Sequence, residues 1–503
     1  MIMQYQERGS KGYLAAIVMV AVLGGLLFGY DTAVISGAEK GLQAFFLGAP
    51  DFKYTDFMHG FTSSSALIGC IIGSGVSGFF AGRLGRKRSL IFAGICFFIS
   101  AWGSMSPETF DLLPYGRPSW DLLVVFNCYR VLGGIGVGMA SAICPMYIGE
   151  VAPSNIRGML VSFNQFAIIF GQLVVYFVNF LILGDHTNPV IESIGQGFSA
   201  VMPNSDPWTI STGWRYMFGS ECVPAGLFTI LICFVPETPR YLVMKGQEGK
   251  ALNILARING MTIARQTLDA IKDTTEEKTE KLFSFGFLCV FVGIMLSVFQ
   301  QAVGINAVLY YAPRIFSDMG LDNPMVTTVI MGVINISFTL IAVFTVEKLG
   351  RKPLLITGSQ GMAVGAFAVA LTFGNSSLSV VTMVALMVYS ASFMFSWGPI
   401  CWVYMAELFP NTIRSSATAI AVAFQWIFNF IVSSSFVPMF NMHLTRGDNF
   451  GHWFTYGLYG IICCVAALFV WKLVPETKGK TLEDMSNLWR NRSVTIHFRP
   501  PFL

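Results

Sequence analysis

Twelve runs of about 20 apolar residues, separated by short polar stretches, take up most of this chain. They lie near 13–37, 60–81, 88–105, 121–146, 158–183 and 213–235, then 283–309, 323–346, 353–374, 378–405, 413–439 and 450–474. Inside lipid every backbone N–H and C=O must find a partner within the chain, and a helix meets that demand segment by segment. The runs therefore predict an all-α membrane protein with twelve transmembrane helices. Composition agrees, with 54% hydrophobic and only 12% charged residues among 503 and a mean hydropathy of +0.61.

The loops between the runs repeat one another. Arg83-Leu84-Gly85-Arg86-Lys87 recurs about 265 residues later as Lys348-Leu349-Gly350-Arg351-Lys352, preceded by Glu347. In the same order, Glu150 to Arg157 recurs as Glu407 to Arg414, and PETPR at Pro236 recurs as PETKG at Pro475. A duplicated membrane protein follows, with six helices in each of two pseudo-symmetric halves: an N-terminal bundle over 1–235, a linker over 236–282, a C-terminal bundle over 283–475 and a tail over 476–503. Secondary transporters are built this way, with the substrate site between the halves near mid-membrane.

An even number of spans puts both termini on one side. Arg83, Arg86, Lys87, Arg88, the linker, Lys348, Arg351, Lys352, Lys478 and Lys480 share that side, while loops 183–212 and 374–380 are nearly free of lysine and arginine. Positive loops stay in the cytoplasm, so a multi-pass inner (plasma) membrane protein with cytoplasmic termini is expected. Tyr30-Asp31 makes the first run too polar for a cleaved signal peptide. In the linker, Leu252, Ile254, Leu255 and Ile258 fall at helical spacing, which predicts short amphipathic helices; a flexible tether is the other reading.

The net charge of +4 is spread through loops, which argues against a nucleic-acid partner. Ten cysteines lie in apolar stretches without CxxC spacing, and five histidines show neither HExxH nor paired metal spacing. No metal, no cofactor and no enzyme activity is expected. A non-transporting membrane sensor with a signalling extension is disfavoured by the short sequence after Lys480.

Three charges sit inside apolar runs: Asp31 in the first, Arg130 in the fourth and Glu221 in the sixth. A charge at mid-helix costs about 3 kcal/mol or more, so each should face a partner or a water-filled cavity. Counting at about 1.5 Å per residue places all three at similar depth in the outer half of the bilayer, where they can meet. Proximity of Arg130 then decides whether Asp31 holds a proton, which makes a coupling switch. A permanent ion pair that only locks helices is the alternative.

Side-chain amides both donate and accept hydrogen bonds, as a ligand rich in hydroxyl groups requires. Gln165, Gln172 and Asn179 recur every seven residues on the fifth run, and the seventh carries Gln300, Gln301, Asn306 and Tyr310. In apolar helices such amides face protein or water, either as ligands or as glue between helices. Gly24, Gly25, Gly29, Gly73, Gly75, Gly133, Gly134, Gly136 and Gly138 read as close-packing faces rather than nucleotide loops, because no strand precedes them.

Seven segments carry a family resemblance: GGLLFGYDTAVISG (24–37), RLGRKRS (83–89), YRVLGGIGVG (129–138), PETPRYL (236–242), QQAVGIN (300–306), EKLGRKP (347–353) and PETKGKT (475–481). On these the chain resembles the sugar porters of the major facilitator superfamily along nearly its whole length. SALIGCIIG (65–73), SFNQFAIIFGQ (162–172), VLYYAP (308–313) and AIAVAFQW (419–426) are most similar to the bacterial D-xylose/proton symporters. Ala302, Tyr241 and Glu347 depart from that pattern, which has a bulkier apolar residue, Trp and Asp at the matching positions.

The resemblance implies a secondary active transporter that imports a monosaccharide, D-xylose or a related aldose, together with a proton by alternating access. A facilitative uniporter, or a proton symporter for glucose, galactose or arabinose, stays open. Sugar ligands by resemblance are Gln165, Gln300, Gln301, Asn306, Asn335, Trp402 and Gln425, with Phe28, Tyr310, Gly398 and Trp426 lining the pocket. Asp31, Arg130 and Glu221 take the proton-coupling role. Arg83, Arg86, Glu150, Arg157, Glu347, Arg351, Glu407 and Arg414 are expected to form cytoplasmic salt bridges that break on switching, unless the basic loops only set topology. The partners are the monosaccharide and membrane lipid, and the expected state is a monomer.

Overall fold

The computed structural model describes residues 9–108, 116–153, 156–183, 208–275, 282–410, 413–443, 449–478, 485 and 487–490. These are helical or connecting segments, with no strand among the described residues. In the first half run α1 (Lys11–Ala33), α2 (Ile35–Leu47), α3 (Asp56–Arg83), α4 (Arg86–Met105), α5 (Trp120–Val151), α6 (Arg157–Ile182), α7 (Trp214–Ser220) and α8 (Cys222–Ile232). Short helices α9 (Pro239–Met244), α10 (Glu248–Asn259) and α11 (Met261–Thr275) follow. The second half holds α12 (Phe287–Ala302), α13 (Ile305–Tyr310), α14 (Ala312–Asp318), α15 (Pro324–Leu349), α16 (Arg351–Thr372), α17 (Ser379–Phe395), α18 (Trp397–Leu408), α19 (Arg414–Phe440) and α20 (Phe450–Leu473).

Eleven of these segments, counting continuous pairs such as α1 with α2 and α12 with α13, are long and apolar enough to cross a membrane. The run expected at 213–235 is present as α7 and α8, which meet at Glu221 instead of forming one long helix. Other spans are broken as well. Val34 separates α1 from α2, Gly304 at a φ of 91° separates α12 from α13, and Ser396 separates α17 from α18. A side chain at Gly304 would meet the Tyr459 ring in a backbone region that only glycine enters freely.

Small residues set the closest contacts. α3 lies along α5, and a Cβ on Gly134 would overlap the Ala66 carbonyl oxygen while one on Gly73 would overlap that of Ile135. Gly75 departs from the expected packing face, since nothing lies near it. Within the halves α4 also packs on α5, α1 on α6, and α16 on both α17 and α20. Between them α3 packs on α19 and α6 on α15, so the central cavity is walled by helices from both repeats. Between the halves, Leu242, Ala251, Leu255, Ala264 and Leu268 of α9, α10 and α11 make a small core of their own. α10 is tied to the start of α1 through Ser10 N donating to the Arg257 carbonyl at 2.8 Å.

Candidate functional site

At the basic-loop end the two repeats build the same cluster twice. Gly85 (φ 95°) and Gly350 (φ 90°) turn the chain into α4 and α16. Each helix start is then capped from a distance, by the Glu of the PET repeat. Glu237 accepts from the backbone N–H of Arg86 at 3.1 Å and of Lys87 at 3.2 Å. Glu476 accepts from Arg351 N at 3.1 Å, Lys352 N at 3.0 Å, and Thr477 N and Lys478 N at 2.9 Å. A carboxylate there answers both the free N–H groups and the positive end of the helix dipole. Burial outweighs these bonds at Glu237 and holds its pKa above the ordinary value, although Thr238, Lys87 and Arg86 oppose it. Glu476 is also penalised by burial, but its four backbone donors prevail and its pKa falls below the ordinary value.

The caps aim the arginines. Arg86 Nη2 donates to Glu150 at 2.7 Å, and Arg351 grips Glu407 with two nitrogens at 2.8 and 3.1 Å. Thr477 Oγ1 adds a 2.6 Å bond to Glu407. Arg83 is placed differently from its expected role, over the Phe79 ring at 5.3 Å and outside the ion pair. Arg157 is exposed, and among the described residues Glu150 pairs with Arg86. The side chains of Glu347 and Arg414 lie outside the described residues.

Asp31 and Arg130 are in contact. Arg130 Nη1 bonds Asp31 Oδ1, its Nη2 donates to the Asp31 carbonyl at 3.2 Å, and its guanidinium lies 5.0 Å from the Phe218 ring centre. Glu221, at the break between α7 and α8, lies beside Asp31 and Arg130. Both Glu221 oxygens and Asp31 Oδ2 are buried without a donor. Two carboxylates and one guanidinium thus share one buried pocket.

The neighbouring cavity lies between the halves. Phe28 and Thr32 of α1 and Gln165, Ile168, Ile169 and Gln172 of α6 form one wall. Gln300 and Gln301 of α12, Asn306, Leu309 and Tyr310 of α13, Phe393 and Met394 of α17, Gly398 and Trp402 of α18, and Gln425, Trp426 and Asn429 of α19 form the rest. Gln300 is the hub: it donates to the Trp397 carbonyl at 3.2 Å and accepts from Gln425 Nε2. Asn306 donates to Gln301 at 2.6 Å, and Phe28 packs against Trp426 with ring centres 5.4 Å apart. Gln425 Oε1 and Trp426 Nε1 are buried without partners, an acceptor and a donor side by side.

Ten of the eleven residues expected at the sugar site line this cavity. Asn335 does not. It is buried on α15, where Ser390 donates to its Oδ1 at 2.7 Å. Thr32, Ile168, Ile169, Leu309, Phe393, Met394 and Asn429 were not anticipated; of these Asn429 alone is an amide in an apolar run, the signal that could have flagged it. The structure also separates the seven-spaced amides. Gln172 reaches the cavity, whereas Asn179 donates to the Val34 carbonyl at 3.2 Å and so serves the break between α1 and α2. Ala302, the departure nearest the site, is not part of the wall.

The family model described as sugar (and other) transporter matches residues 17–489. The chain belongs to that family. It is a transporter of the major facilitator fold and not an enzyme. It is 45% identical to the D-xylose-proton symporter of Escherichia coli K12, over 95% of this chain and 96% of that protein. The glucose facilitated diffusion protein of Zymomonas mobilis is 34% identical, with 97% and 99% covered. An inward-open structure of the E. coli xylose transporter superposes with a TM-score of 0.80 at 44% identity, covering 95% of this chain and all of the other.

Proposed function

We propose that this protein imports D-xylose together with a proton by alternating access, acting as a monomer in the plasma membrane with the basic loops and both termini in the cytoplasm. The observation that carries the reading is on α1. Phe28 and Thr32 face the amide-lined cavity, and Asp31, one residue before Thr32, faces Arg130 and the Glu221 carboxylate. Sugar and proton sites therefore share one helix, and a movement of α1 on either event is felt by the other. The neutral amides Gln165, Gln300, Gln301, Asn306 and Gln425 bind hydroxyls, while Trp402, Trp426, Phe28 and Tyr310 offer flat apolar faces to the C–H side of a pyranose. Gln425 Oε1 and Trp426 Nε1 gain their missing partners from a single hydroxyl that accepts and donates.

In the transport cycle a proton arriving at Asp31 weakens its hold on Arg130 and lets the loaded halves close over the sugar. Opening to the cytoplasm then separates the paired clusters at Arg86 and Arg351, and the proton leaves inward. The test is counterflow in proteoliposomes preloaded with unlabelled D-xylose. Labelled D-xylose should accumulate transiently, with glucose and arabinose competing less well. Accumulation of arabinose or glucose in preference to xylose would overturn the substrate assignment.

A further inference from the structure

The ion pairs of the basic-loop clusters and the Arg215 to Glu108 pair each lie within one half of the molecule. At the opposite face, charges cross between the halves. Glu39 on α2 accepts from Arg314 on α14 at 2.6 Å, and Arg314 also reaches Gln43 at 3.1 Å and Asn441 at 3.4 Å. Asn441, just past α19, donates back across the boundary to Asp56 at 2.9 Å. Lys40 lies 4.0 Å from Asp318. His59 Nε2 sits 2.8 Å from Glu39, and its other nitrogen is held 3.1 Å from Tyr54 Oη. Glu39 is 1% exposed and His59 fully buried.

We propose that Glu39 and Arg314 form an ionic lock that holds the outer face closed, and that opening to the outside requires them to part. This rests on the alternating-access reading above. Both partners ride on short segments that follow breaks, α2 after Val34 and α14 after Tyr311 and Gly304, so each can swing without moving the rest of its half. The i, i+4 spacing of Glu39 with Gln43 and of Arg314 with Asp318 makes two facing ladders, which fixes one register of closure. A carboxylate buried to this degree is tolerated only while its cationic partner stays, so the closed state gains stability from the pair and the open state, where water enters, does not need it. Removing either partner takes that preference away.

The measurement is the distance between nitroxides on Phe57→Cys and Met442→Cys, both exposed at the outer ends of α3 and α19, in purified protein whose ten native cysteines are replaced by serine or alanine. Glu39→Gln and Arg314→Gln should each raise the ratio of long to short distances by about tenfold or more. The double neutral variant should open no further than the larger single, because the two act through one contact. The exchange Glu39→Arg with Arg314→Glu should restore the short distance. Arg314→Lys, which keeps charge but loses the fork, should fall between and covers a Glu39 variant that does not fold. Unchanged distances in variants that still bind D-xylose, or effects that simply add, would overturn the lock alone. Failure of the parent protein to transport any sugar would instead overturn the reading beneath it.

Discussion

Glu476→Gln should destabilise the second half, and do so more than Glu237→Gln destabilises the first. Glu476 Oε1 takes three backbone N–H groups and Oε2 takes Lys352 N, all between 2.9 and 3.1 Å. The amide leaves one of these donors facing an NH2 group and removes the charge that complements the start of α16. A hydrogen bond to a charged acceptor contributes about 1.5–3 kcal/mol and the helix dipole about 0.3–1 kcal/mol. Because the carboxylate is partly solvated, the loss expected is about 1–3 kcal/mol. Over a half of roughly 190 residues, at about 2.1 cal/mol/K each, that is a fall in Tm of about 2–7 °C. At Glu237 the pKa is held up by burial, so the neutral amide is tolerated better there. Thermal unfolding in detergent, followed by tryptophan fluorescence, measures both, with Glu248→Gln as a surface control. The sign with pH is also set. Because the Glu476 pKa is depressed, its contribution is present above the ordinary value of 4.5 and is lost as pH falls through the folded value. The gap between wild type and Glu476→Gln should therefore narrow from pH 7 to pH 4. Equal losses at the two glutamates, or a gap that widens on acidification, would refute the capping argument.

At the cavity, Gln300→Ala removes the hub and should weaken D-xylose binding by about tenfold or more in equilibrium dialysis, since Gln425 is left buried without its acceptor. Asn335→Ala, at a position that does not line the cavity, should change affinity by no more than about threefold, against the role implied by resemblance. Gln172→Ala should weaken binding with little effect on Tm, whereas Asn179→Ala should lower Tm by exposing the unpaired Val34 carbonyl and leave affinity near wild type.

The membrane architecture was legible because hydropathy and helix length follow directly from hydrocarbon thickness; even so, Glu221 divided a span that composition alone read as continuous. Charge depth put Asp31, Arg130 and Glu221 at one level where they can meet, since a cost of several kcal/mol leaves buried charges few choices. Amide spacing could not tell Gln172 from Asn179, because a period of seven puts both on one stripe and the difference lies in what the facing helix presents. PETPR and PETKG were visible as repeats, yet their job as helix caps was not, because Glu237 and Glu476 act on residues about 150 and 125 positions away. Glu39 and Arg314 were unremarked for the same reason: each looks like an ordinary helix-end charge until the halves are brought together.

The central claim, coupling of sugar to a proton at Asp31, is tested most directly by recording external pH while D-xylose is added to de-energised cells that overproduce the protein. Wild type should alkalinise the medium on adding xylose, and Asp31→Asn should give no alkalinisation while still exchanging labelled xylose. Entry of labelled xylose into wild-type cells with no pH change, or proton-driven accumulation that survives Asp31→Asn, would contradict the account.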